Sequence, residues 1–155
     1  MSAPVLSVRL TPVLSWSRPR PGRGRVRYTG AYADGREGWA LLVRAAAIAQ
    51  GWAAPEKTAR LHVTVRVTNG GKRDLDRVCT AVLDALQGGG AIADDCLCDG
   101  LHAERVWVPR AEPRVEVSVL RLADAVRGVV VTYERSEPAG EAVPTAWWYG
   151  RERLG

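Results

Sequence analysis

Residues 72–95 read KRDLDRVCTAVLDALQGGGAIADD, and the reading of this stretch decides the rest of the chain. Leu75, Val78, Val82, Leu83 and Leu86 recur at helical spacing. That spacing predicts an amphipathic helix over about residues 75–87 with the stripe buried. Asp74 stands at the N-cap position, and Gly88-Gly89-Gly90 ends the helix. The chain then returns and presents Asp94 and Asp95. If that return folds back toward the helix start, Asp74, Asp76, Asp94 and Asp95 converge. Carboxylates a few ångströms apart repel unless a cation or a proton intervenes. Hard oxygen ligands of this kind suit Mg²⁺ or Mn²⁺. The plain alternative is ordinary helix and turn chemistry: an aspartate cap, a second aspartate in the first turn, and Asp-Asp after a glycine run.

The residues upstream supply a platform for that helix. Leu61, Val63, Val65 and Val67 alternate with His62, Thr64 and Arg66, the pattern of a half-buried strand. His62 falls on the polar side and reads as a surface histidine. The strand leads through Asn69-Gly70-Gly71 into Asp74, so a rigid element delivers the acidic residues. Lys72, Arg73 and Arg77 surround them with positive charge.

Further toward the N-terminus, Val5 to Leu10 alternates as a strand, with Pro12 limiting its extension. Arg18, Arg20, Arg23, Arg25 and Arg27 then fall among prolines and glycines. Such a segment cannot build a core and is expected to be a mobile surface loop. It has the make-up of a phosphate-gripping arm, with Trp16 and Tyr28 available to stack on splayed bases. A helix capped by Thr29 or Asp34 is expected to run to about Gln50. Trp39, Leu42, Val43, Ala46 and Ala47 form its core face. Gly35 and Gly38 weaken its first turns by about 1 kcal/mol each relative to alanine.

Beyond Asp95, Arg105 to Val108 and Arg114 to Leu120 read as two strands that complete a small mixed sheet. Val129 to Tyr133 has the pattern of a further strand. The remaining tail carries Trp147-Trp148-Tyr149 with Arg151 and Arg153. An aromatic cluster of this kind can stack on DNA, dock on a partner subunit or dock on its own body.

The chain has 155 residues, a single domain's length, and 46% hydrophobic residues, enough for a core. A formal net charge of +5 favours an anionic partner such as nucleic acid. No segment approaches the roughly 20 apolar residues of a membrane helix, and the N-terminus has no apolar signal core, so a cytoplasmic protein is expected. Cys79, Cys96 and Cys98 do not make a disulfide framework. Cys96 and Cys98 with His102 offer a zinc set, without the paired spacing of structural zinc sites.

Residues 72–95 resemble the RusA-type Holliday junction resolvases, small phage-associated endonucleases. The likeness lies in the basic lead-in, Asp74-Leu75-Asp76, the helix run Ala81-Val82-Leu83-Asp84-Ala85-Leu86, the glycine turn and Asp94-Asp95. A weaker likeness covers most of residues 5 to 121. The resemblance implies an α/β (α+β) fold, a small mixed sheet packed with two main helices, over 1–121. The resemblance also implies a homodimeric, Mg²⁺-dependent endonuclease that cuts four-way DNA junctions. Residues 122–155 fall outside the resemblance and are expected to form a Trp-rich, partly flexible extension. Asp74, Asp76 and Asp95 would be the catalytic, metal-binding carboxylates, with Asp94 beside them. Arg18, Arg20, Arg23, Arg25, Arg27, Lys72, Arg73 and Arg77 would contact DNA. The chain departs from the family pattern after Asp76: Arg77 stands where the family has asparagine, and Thr80 where it has a lysine that matters for catalysis. The alternatives are a DNA-binding protein of the same fold with reduced or no cleavage, and a zinc-stabilised interaction protein.

Overall fold

The computed structural model describes residues 5–22, 25–28, 30–53, 56, 60–122, 129–135 and 143–149. The strand β4 (Arg60–Thr68) is central to its fold. It pairs in parallel with β5 (Cys98–Val106) and antiparallel with β6 (Arg114–Leu122). The strand β1 (Val5–Leu10) adds antiparallel to β6 and completes a mixed sheet of order β1-β6-β4-β5. Between β1 and β4 lie a short ribbon, β2 (Arg20–Gly22) with β3 (Arg25–Arg27), and the helix α1 (Gly30–Ala49). The helix α2 (Leu75–Gly88) and a single 3₁₀ turn (Asp95–Leu97) connect β4 to β5. A parallel pair needs such a crossover, because its strands must start at the same end. The later strands β7 (Val129–Arg135) and β8 (Val143–Tyr149) pair with each other as an antiparallel hairpin.

Period-two alternation selects the core. Leu6, Val8 and Leu10 of β1, Leu61, Val63, Val65 and Val67 of β4, and Val115, Val117 and Val119 of β6 are all buried. Their register matches across the sheet: Leu6 and Val63 both stand opposite Val119, and Leu10 and Val67 both stand opposite Val115. Tyr32, Trp39, Val43 and Ala47 of α1, with Val78, Val82, Ala85 and Leu86 of α2, belong to the same cluster. The sheet thus packs with two helices, as the sequence predicts. On alternate positions the strands carry cross-strand ion pairs instead, Arg9 with Glu116 at 3.7 Å and Arg66 with Glu104.

Several expectations change. The arginine-rich segment 18–27 is not simply a loop, because Arg20 stands opposite Arg27 in the β2–β3 ribbon. The strand β5 starts at Cys98, seven residues before the expected Arg105. Pairing with β4 recruits Gly100, His102 and Glu104, a stretch too polar to announce a strand. His62 is buried, not at the surface. Leu42, expected in the core face of α1, is 40% exposed, because the buried stripe follows Trp39, Val43 and Ala47 at four-residue steps.

Candidate active site

The loop between β4 and α2 is held by hydrogen bonds to the end of β5. Asn69 has φ 50°, the left-handed region that asparagine tolerates. Its N–H donates to the Val106 carbonyl at 3.0 Å. Its side-chain amide donates to the carbonyls of Val108 at 2.8 Å and Ala111 at 2.7 Å, and its Oδ1 accepts the Val108 N–H at 2.9 Å. Arg105 Nη2 donates to the Arg73 carbonyl at 2.6 Å, immediately before Asp74. Trp16 N–H donates to the Arg77 carbonyl at 3.0 Å, so the segment after β1 also closes on the start of α2.

Asp74 occupies the N-cap position of α2, yet its carboxylate makes no capping hydrogen bond. It lies 3.6 Å from Arg77 Nε, with both side chains largely exposed. Asp76 is exposed in the first turn of the helix. Thr80, where the resembled family has lysine, turns its hydroxyl onto the Asp76 carbonyl at 3.0 Å. Lys72 and Arg73 are exposed beside the acidic pair, and Arg73 Nη1 donates to the Gly70 carbonyl at 2.9 Å. Arg105 is a further cation at this end that reading the sequence did not single out, because its alternation marked it only as a strand residue.

Asp94 and Asp95 lie together at the other end of α2. Asp94 accepts the Cys96 N–H at 3.0 Å and so caps the 3₁₀ turn. That bond, with the Cys96 thiol and Asp95 beside it, holds its carboxyl below the usual range. Asp95 is pushed up, first by hydrogen bonding to Asp94, then by slight burial and by the charges of Asp94 and Asp84. The negative charge on Asp94 thus opposes ionisation of its neighbour Asp95.

The topology explains why the four carboxylates do not meet in one chain. At one end of the parallel pair Thr68 stands opposite Val106, and Asp74 and Asp76 follow. At the other end Leu61 stands opposite Cys98, which Asp94 and Asp95 precede. The 14 residues of α2 between them span about 21 Å. The chain after the glycines does not fold back to the helix start. Among the described residues, no three His, Cys, Asp or Glu side chains are grouped to hold a metal ion, and that includes Cys96, Cys98 and His102.

Of the basic arm, Arg18 and Arg20 are exposed. Arg25 and Arg27 lie in β3, but their side chains, like all of Arg23, lie outside the described residues. Trp16 is half-buried against the core. Tyr28 meets Tyr32 edge-on with ring centroids 5.2 Å apart, and the Arg36 guanidinium sits 4.6 Å from its ring centre. Both aromatics expected to stack on bases are thus engaged in packing. Among the described residues no helix is long and apolar enough to cross a membrane. No family model matches the chain, and no curated protein matches it.

Proposed function

We propose that this chain is a RusA-like, Mg²⁺-dependent endonuclease that cuts four-way DNA junctions as a homodimer. The observation that carries the reading is Asp74. An aspartate at an N-cap ordinarily spends its oxygens on the helix N–H groups. Here it does not, and it stands open with Asp76 in the first turn and Arg77 beside it. Open carboxylates supply the hard oxygen ligands that suit a divalent cation such as Mg²⁺.

Each chain presents one acidic pair at either end of α2. A twofold dimer is the economical way to complete an all-oxygen site, with Asp74 and Asp76 of one protomer facing Asp94 and Asp95 of its partner. The donor set then fits Mg²⁺ or Mn²⁺. When bound, the metal supplies a water of lowered pKa and a Lewis acid for the phosphate. Lys72, Arg77 and Arg105 steady the scissile phosphate and offset charge developing on its oxygens. Arg18 and Arg20 extend the backbone contacts, so binding falls steeply with salt. The outward side of α1 offers a subunit contact: Leu41 is 64% and Ile48 76% exposed, nearly two turns apart on the same helix. A cytoplasmic setting follows from a DNA substrate.

The test is cutting of a synthetic four-way junction in Mg²⁺. Asp74→Asn, Asp76→Asn and Asp95→Asn should each abolish it. Co-expressing Asp74→Asn with Asp95→Asn should restore one working site per mixed dimer and give nicked junctions. No cutting by the unaltered protein in Mg²⁺ or Mn²⁺, with tight junction binding retained, would favour the non-cleaving DNA-binding protein instead.

A further inference from the structure

We propose that Trp107 is a fixed stacking platform for an unpaired DNA base beside the cleavage site. The indole is 72% exposed, and Val108 after it is 41% exposed. A lone exposed apolar side chain is unremarkable on a protein surface. Trp107 differs in its setting. It follows Val106, the last residue of β5, whose carbonyl accepts the Asn69 N–H at 3.0 Å. The next residue is bound on both its N–H and its carbonyl by the Asn69 side chain, at 2.9 and 2.8 Å. The Ala111 N–H closes the turn on the Val108 carbonyl at 3.2 Å. The backbone carrying the indole is therefore fixed, while the ring itself stands in water.

Its neighbours are cationic. Arg105 precedes it by two residues and reaches the Arg73 carbonyl at 2.6 Å. Arg110, at φ 63°, is exposed in the same turn. Lys72 and Arg73 lie at this end of the sheet with Asp74 and Asp76. A large exposed aromatic face on a segment that also carries arginines suits a base and its phosphates together, since every base has a π-face and each phosphate a negative charge. A continuous duplex hides those faces. A branch point or single strand exposes them, so the platform favours branched over linear DNA.

This inference rests on the reading of the Asp74 end as a DNA site, and the experiment separates the two. A four-way junction and a single strand, each with 2-aminopurine in place of one adenine, are titrated with the full chain in Ca²⁺, and cutting is followed in parallel in Mg²⁺. The unaltered protein should quench the unpaired fluorophore. Trp107→Ala should remove the quench and weaken binding to both probes about tenfold, with linear duplex binding unchanged. Trp107→Phe should recover most of the affinity, and unaltered thermal melts should show both variants folded. Trp107→Ala that binds and quenches like the unaltered protein overturns the platform while leaving the nuclease reading intact. Stacking without any cutting overturns the nuclease reading and leaves the platform. Absence of binding to any of the three DNA forms overturns both.

Discussion

The phenol of Tyr32 in α1 donates its proton to the carboxylate of Asp84 in α2. This bond joins the two helices where α2 approaches its C-terminal end, and the charge of Asp84 extends to Asp95. Burial, and then the Asp84 bond, push the phenol far above its usual range. Tyr32→Phe removes a charge-assisted bond and should cost about 1.5–3 kcal/mol in urea unfolding. The sign of the pH effect follows: the phenol's contribution is complete below pH about 10, where the unfolded tyrosine is also protonated. It is lost as pH rises above that value, because the unfolded state ionises first. Tyr32→Phe should remove this part of the alkaline loss.

Asp74→Asn should leave stability nearly unchanged, because the side chain makes no capping bond to lose. Cutting should fall by more than about a hundredfold. Thermal melting and junction cleavage on the same preparation check both halves. A large loss of stability would instead mark Asp74 as a structural cap.

Ile48→Glu places a charge in the exposed apolar stripe of α1. As Ile48 is 76% exposed, the monomer fold should tolerate the change within about 0.5 kcal/mol. Sedimentation should show a shift from dimer to monomer, with junction cutting lost. A dimer that survives Ile48→Glu would move the subunit contact elsewhere.

Gly89 lies where α2 presses on α1. A Cβ there would stand 2.6 Å from Val43 Cγ1 and 2.7 Å from the Ala40 carbonyl oxygen. The backbone oxygen cannot swing aside, so Gly89→Ala must part the helices, at about 2 kcal/mol. Gly90→Ala meets nothing within 4 Å and should cost less, about 1 kcal/mol, from its φ of 76° alone. Denaturant midpoints of the two variants test the order.

Burial, and then the charge of His102, hold the His62 imidazole below its usual range. The folded protein therefore keeps His62 neutral where the unfolded chain protonates it. The stability this contributes is complete above pH about 6.5 and is lost as pH falls through the folded value. Melting temperature should drop between about pH 7.5 and 5. In His62→Gln the drop over that window should be smaller.

The elements that rest on a strong period are legible from residue order alone. Val5 to Leu10, Leu61 to Val67 and Val115 to Val119 announce their strands by alternation, and Leu75 to Leu86 its helix by a buried stripe. Those patterns are local consequences of which faces must leave water. Asp74 and Asp76, with their basic neighbours, were legible for the same reason, as residues next to one another along the chain. Where Asp94 and Asp95 stand depends on how the strands pair. Parallel pairing of β4 with β5 forces the connecting chain to the far end of the sheet before it can re-enter, and spacing along the sequence does not encode that direction. Packing between elements also decides that His62 is buried, that Tyr32 meets Asp84 and that Trp107 stays in water, since each depends on what another element covers.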